Sequence, residues 1–260
     1  MSDFASAIRR LRDARDLSQQ KVADGVGLAR ATYVKIELGD REPKLDEIRS
    51  LSKFYEVSVG SLIDNRVDVV QEPTASYEFS SNDEIIPRDI SPEIDPDKLR
   101  ETLAYVLERV GAKPNVGETV LYKLLYFIDF DYYEKYGQSI TGLEYIHNRY
   151  GPSPTISFKQ VVEGMEANGE LDVATTKYFN NTQRKYLPVK RIELEKLSAK
   201  ELDHINDVLN RLSDKSASEL SWLSHHDTPW VVTKQGQPLD YRNVAYRTKI
   251  TAVTESEDEL

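Results

Sequence analysis

Residues 17–41 read LSQQKVADGVGLARATYVKIELGDR, and this stretch constrains the chain more than any other. Leu17 and Ser18 open a short helix, Gly25 and Gly27 mark a turn, and a second helix starts near Ala29. On that second helix Arg30, Thr32 and Lys35 fall on the polar side, while Tyr33 and Ile36 turn inward. A short helix, a glycine turn and a helix with a basic, hydroxyl-bearing outer face form a helix-turn-helix, a geometry that fits the DNA major groove.

The flanking sequence completes a small all-α unit. Phe4, Ile8 and Leu11 share one face of a helix over 3–15, and Val22, Ala23 and Val26 give the second helix its buried side. Ser18 is placed as an N-cap. Gly39 and Asp40 end the third helix and Pro43 follows in the loop. Leu45, Ile48, Leu51 and Tyr55 define a fourth, and Val57, Val59, Leu62 and Ile63 a fifth. Five short helices over residues 1–66 are expected.

The net charge of −10 looks unsuited to DNA until its distribution is read. Residues 1–66 carry 12 Lys/Arg against 11 Asp/Glu, whereas residues 67–98 carry two basic and nine acidic residues. Glu255, Glu257, Asp258 and Glu259 add a compact acidic tail over 255–260. The acid therefore lies in a linker and a tail, and placement of Lys and Arg on one face governs contact with phosphate. A near-neutral domain binds DNA weakly as a monomer, so a homodimer or higher oligomer is expected. The chain has no cysteine, which excludes disulfides, thiolate zinc sites and cysteine nucleophiles. No run approaches the ~18 apolar residues of a membrane span, and the polar N-terminus has no signal-peptide pattern. A cytoplasmic protein without membrane partners is expected.

The first ~64 residues resemble the XRE family, the helix-turn-helix of lambdoid and Cro-type repressors. The Ser-Gln pair, the Lys-Ile-Glu-x-Gly segment and the final hydrophobic pair carry the likeness. The resemblance implies dimeric binding to operator DNA, with the third helix in the major groove. It implies that Gln19 clamps phosphate and that Arg30, Ala31, Thr32 and Lys35 face bases and phosphates, with Arg41 completing the DNA-facing set. It also implies a structural ion pair between Arg12 and Glu37. Ala29 stands where the family has a capping hydroxyl, which forgoes about 1 kcal/mol of capping, and Leu38 stands where Asn is common.

Residues 67–96 hold Pro73, Pro87, Pro92 and Pro96 amid scattered acid and little periodicity, and read as an acidic linker. Ile85, Ile86 and Ile90 are apolar enough to dock on a partner or on the second domain, but a passive tether is the preferred reading. A second domain is expected over 97–254. Asp97 is placed to cap a helix whose Leu99, Leu103, Val106, Leu107 and Val110 face a core. The helix over 117–136 is apolar almost all round, which predicts central burial. A short strand over 144–148, a Tyr-Gly-Pro-Ser-Pro turn and a helix over 156–167 follow. Residues 171–179 and 185–192, joined by Asn-Asn-Thr-Gln, read as a β-hairpin. Ser198 and Glu201 form a capping box for a helix over 199–212, and another helix covers 216–224. The fold class is a five-helix N-terminal domain plus an α+β, mainly helical C-terminal domain with one hairpin.

This second part resembles the Panacea, or SocA-like, antitoxin domain. KLLYFIDFDYYEKYG (123–137), HNRYGPSP (147–154) and ELSWLSHHDTPW (219–230) carry the resemblance, in order, across ~110 residues. It implies an antitoxin that neutralises a cognate toxin by protein contact.

The residues offer no catalytic, metal or cofactor alternative. His225 and His226 are adjacent and so point about 100° apart on a helix, and HExxH, GxxxxGK[ST] and GxGxxG patterns are absent. Twelve of the fifteen tyrosines lie beyond residue 97. Tyr122, Tyr126 and Tyr133 share one face of their helix and Tyr132 and Tyr136 another, so one face suits a core and the other a partner. Tyr132, Tyr136, Tyr150, His225 and Trp230 are the candidate toxin-facing residues. The expected function is an antitoxin that binds its toxin through the C-terminal domain and represses its own operon through the N-terminal one. The alternative is a repressor whose C-terminal domain senses a small molecule.

Overall fold

Phe4, Ala7, Ile8 and Leu11 recur at helical spacing, and the first core forms around them. The computed structural model describes residues 3–67, 92–178 and 181–254. Its N-terminal part consists of α1 (Asp3–Ala14), α2 (Gln19–Gly25), α3 (Arg30–Leu38), α4 (Leu45–Tyr55) and α5 (Val59–Ile63). The α1 residues bury against Val22, Ala23, Tyr33, Ile36, Leu51 and Tyr55. Ser18 Oγ accepts from Lys21 N at 3.1 Å, capping α2 as its position predicts. Ala29 gives α3 no side-chain cap, and Leu38 is 48% exposed.

Arg12 ties α1 to α3. Its Nε and Nη2 donate to Glu37 at 2.7 and 2.9 Å, a bidentate pair of the strong kind. Glu37 is only 2% exposed. Burial alone would raise its pKa, but hydrogen bonds from Arg12, Tyr33 and Gln19 prevail and hold it below the ordinary carboxylate value.

The C-terminal part is built on α6 (Pro96–Val110) and α7 (Glu118–Tyr136). Asp95 caps α6, its Oδ1 accepting from Lys98 N at 3.0 Å; the sequence reading placed the cap at Asp97. Pro96, which has no N–H to satisfy, takes the first helical position and shifts the start. Gly137 ends α7 at φ 68°, in the left-handed region. Apart from its last turn, α7 is buried on nearly every side, as its composition predicts.

The 145–154 region is itself a hairpin, where sequence suggested one strand and a turn. β1 (Tyr145–Asn148) pairs antiparallel with β2 (Gly151–Pro154), in the register Tyr145↔Pro154 and Asn148↔Gly151. Pro152 and Pro154 argue against a strand because they cannot donate to a ladder. β2 tolerates them as an edge strand, while the far side of β1 is used by His147 N→Gln237 O and Leu239 N→Tyr145 O. α8 (Ile156–Ala167) follows. β3 (Leu171–Tyr178) pairs with β4 (Asn181–Pro188), so the second strand starts and ends earlier than the expected 185–192. Pro188 closes this ladder, and the next N–H, of Val189, turns to Glu170 O at 2.9 Å. α9 (Ala199–Leu212) carries the capping box of Ser198 and Glu201. α10 (Ala217–His225), α11 (Thr228–Val231) and a 3₁₀ turn (Tyr241–Tyr246) complete the fold. Most of the expected linker, with Ile85, Ile86 and Ile90, and the tail over 255–260 lie outside the described residues.

Arg12→Ala strands the buried Glu37 carboxylate and should cost about 3 kcal/mol, read as an earlier N-terminal transition in calorimetry. His204 Nε2 lies 3.1 Å from Ile128 O, and burial, with Lys135 nearby, pushes its pKa down to about 4. A histidine depressed in the fold supports stability above its unfolded pKa near 6.5, and that support is lost as pH falls towards 4. His204→Gln should flatten the pH dependence of unfolding by roughly 3 kcal/mol across this window, measured against wild type by urea titration.

Candidate functional site

The inward side of α3 is fixed by Tyr33, Ile36 and Glu37, all buried, and this rotation sets its outer face. Arg30, Ala31 and Lys35 are exposed there and Thr32 is half-buried. Among the described residues neither Arg30 nor Lys35 makes an ion pair. Four of the six residues expected to face DNA thus share one open helix face. Arg41 lies beyond Gly39, whose φ of 80° turns the chain, and its Nη1 and Nη2 donate to Glu47 at 2.9 Å each. Gln19 stands at the start of α2, with its amide donating to Glu37 at 3.0 Å.

The three C-terminal motifs, far apart in sequence, meet at one junction. Lys123 on α7 is 2% exposed, and its Nζ donates to Pro152 O at 2.8 Å. Burial without a carboxylate partner pushes its pKa down to about 7. Gly151 (φ 95°) lets the turn approach this amine: a methyl there would lie 2.6 Å from Lys123 Nζ and 2.6 Å from Ser224 Oγ. From α10, Ser221 Oγ donates to Tyr150 O at 3.4 Å. Trp230 Nε1 donates to Asn148 O at 3.2 Å, and its ring stacks on His147 with centroids 4.1 Å apart. The His225 ring lies 4.4 Å from the same indole, and His226 stacks instead on Trp222 at 4.1 Å. Beside the junction is a cavity of about 160 Å³ whose lining includes Tyr122, Asn148, Tyr150, Phe158 and Tyr186.

Tyr150, His225 and Trp230, predicted to face a partner, are therefore gathered around one hairpin. Tyr132 and Tyr136 are elsewhere, beside α9. Tyr132 is 7% exposed with its ring 5.1 Å from His204, and Tyr136 is 40% exposed under the Lys200 ammonium at 3.3 Å. Sequence reasoning missed Lys123, although a lysine in a helix otherwise apolar all round was the available signal. It also missed Arg247. That side chain is buried, its Nη2 donating to Asp227 at 2.6 Å and its Nη1 to Asp131 at 2.7 Å and Glu134 at 2.8 Å. Tyr126 OH donates to Asp227 as well, at 2.7 Å, and Arg211 reaches Asp131 at 2.5 Å. Among the described residues no group of three or more His, Asp or Glu could hold a metal ion, and no helix is long and apolar enough to cross a membrane.

These two sites coincide with two known families. Residues 8–62 match the family described as helix-turn-helix, and residues 121–231 match the family described as antitoxin SocA-like, Panacea domain. Among curated relatives, the cryptic phage CTXphi transcriptional repressor RstR of Vibrio cholerae is 40% identical over 73 residues, 28% of this chain and 66% of that protein. The SPbeta prophage-derived uncharacterized HTH-type transcriptional regulator YonR of Bacillus subtilis (strain 168) is 35% identical over 60 residues, 23% of this chain and 56% of its own length. YqaE, an uncharacterized HTH-type transcriptional regulator of the same organism, is 33% identical over 60 residues, 23% of this chain and 52% of the relative. The chain thus spans about half to two thirds of the length of the relatives it matches. No solved structure matches.

Asp227 accepts from Tyr126 and Arg247 in the interior of the C-terminal domain. Replacing it with Asn removes one negative charge from the buried Arg247 and should destabilise the C-terminal domain by about 3 kcal/mol, measured by chemical denaturation.

Proposed function

We propose that this chain is a cytoplasmic antitoxin that represses its own operon as a dimer and holds a co-encoded toxin inactive through its C-terminal domain. What carries the reading is the pairing of an open basic α3 face with a SocA-like domain in one chain. In this reading Arg30 and Lys35 contact bases or phosphates, Ala31 and Thr32 pack against the groove floor, and Gln19 and Arg41 touch flanking phosphates. Gln19 and Arg41 must exchange part of their contacts to Glu37 and Glu47 to do so. Toxin contact falls to the surface around Tyr150, His225 and Trp230, with the exposed Tyr136 as a separate patch; Tyr132, expected to share that role, is buried against His204 instead. No step in this function needs a cofactor, a metal or catalysis by the chain.

The DNA half is tested by footprinting upstream of the chain's own gene. Arg30→Ala and Lys35→Ala should each weaken binding by about 1–3 kcal/mol; wild-type footprints from both would refute the assignment of α3. The toxin half is tested by expressing the neighbouring gene alone and with the full chain. Growth arrest alone and rescue by the wild-type chain are expected, with Trp230→Ala reducing rescue. A harmless neighbour removes the reading.

The cavity beside the junction favours a second reading, a repressor gated by a small molecule. A metabolite that raises the melting temperature of the chain and alters its footprint, with no toxic neighbour, selects that alternative.

A further inference from the structure

A carboxylate joins the two domains by hydrogen bonds. Glu219, in the first turn of α10, is buried and uses both oxygens. Its Oε2 accepts from Ser216 N at 2.8 Å and Ser216 Oγ at 2.9 Å, closing the capping box of its own helix. Its Oε1 accepts from Ser58 N at 3.1 Å and Ser61 Oγ at 2.8 Å, both on the DNA-binding side at the start of α5. The Arg66 guanidinium, just beyond α5, lies over the Trp222 ring at 5.7 Å. The same nine-residue helix supports the hairpin turn further along, through Ser221 against Tyr150 O and Ser224 against Gly151. α10 thus holds the DNA-binding domain with its first turn and the Lys123–Pro152 junction with its later turns.

We propose that α10 is a relay between the domains: displacement of the turn at 150–152 shifts α10, loosens the Glu219 clamp on α5, and lets the DNA-binding domain pass from docked to free. Docking leaves Arg30, Ala31 and Lys35 exposed, so the clamp does not cover the DNA-facing side of α3 but fixes where it points. Two copies on an operator need their recognition helices at a set spacing and angle. A partner pressing on the hairpin changes that geometry without touching DNA, which is coupling between distinct sites through a two-state contact. This consequence for repression rests on the toxin–antitoxin reading above; the docking equilibrium itself does not.

The absence of cysteine makes the relay directly measurable in the full chain. Lys53→Cys on α4 and Asn210→Cys on α9, both at exposed positions, give one spin-label pair spanning the domains. Pulsed electron resonance should show a single narrow distance distribution in the otherwise wild-type chain. Ser61→Ala removes one hydrogen bond to Glu219 while sparing the Ser216 box, and should lower the docked-to-free ratio about tenfold. Gly151→Ala, whose methyl presses on Ser224 and Lys123, should broaden the distribution from the other side of α10. Ser221→Ala is the milder perturbation of the same side and decides the matter should Gly151→Ala fail to fold.

A broad wild-type distribution, or one that Ser61→Ala leaves unchanged, overturns the clamp. Broadening by Ser61→Ala with none from the folded variants at the turn overturns the relay. The measurement uses neither toxin nor DNA. Its failure leaves the proposed function standing, and a harmless neighbouring gene leaves the relay standing.

Discussion

The C-terminal domain is organised by the charges that α7 carries into its interior. A helix buried on nearly every side would ordinarily be wholly apolar, yet α7 brings Glu118, Lys123, Asp129 and Asp131 inward. Each one has to be answered by hydrogen bonds, because an unanswered buried charge costs several kcal/mol. Each answer recruits a different element. Glu118 accepts from Tyr186 on β4, Lys123 donates to the hairpin at Pro152, and Asp129 takes the backbone N–H groups of Ile140 and Thr141. Asp131 draws in Arg211 from α9 and Arg247 from beyond the 3₁₀ turn. Apolar packing supplies the bulk of the stability, but these polar contacts specify which element lies where around the helix.

The N-terminal domain uses the same device, with buried Arg15 donating to Tyr55 O on α4 at 2.8 Å. Glu37 on α3 is answered by Arg12 from α1 and Gln19 from α2, so three helices of the DNA-binding unit are pinned at a single carboxylate. That pin fixes the rotation of α3 and, with it, which residues look outward. A domain with nearly balanced charge still presents a basic face on this helix, because the helix's one acid, Glu37, is turned inward while Arg30 and Lys35 are exposed. Glu47 on α4 is likewise engaged, accepting from both Arg41 and the Lys44 backbone.

The helical parts were legible because their signals are local. Ser18, the Ser198–Glu201 box, Gly39 and Gly137 mark helix ends through contacts within a few residues, and apolar spacing marks the faces between them. What escaped depends on distant partners. The β1–β2 hairpin carries two prolines that contradict a strand locally, and it is tolerated because β1 is paired on its other side with residues some 90 positions later. Lys123 could be seen as anomalous, but its partner at Pro152 could not be read from spacing. The three motifs were visible as segments; their meeting at Gly151 required the fold. The tyrosine faces of α7 were half legible, since periodicity separates Tyr132 and Tyr136 from Tyr126 but does not reveal that His204 already packs on Tyr132.

Arg247 also imposes an order in time. Its partners Asp131 and Glu134 precede it by 116 and 113 residues. On a ribosome adding roughly 5–20 residues per second, these carboxylates emerge many seconds before the guanidinium that neutralises them. Throughout that interval α7 cannot settle into its final burial, because its acids still need water. The nascent chain therefore presents a finished DNA-binding domain well before a finished C-terminal one. Completion of the second domain awaits the segment that carries Arg247 together with the core residues Leu239, Tyr241 and Val244.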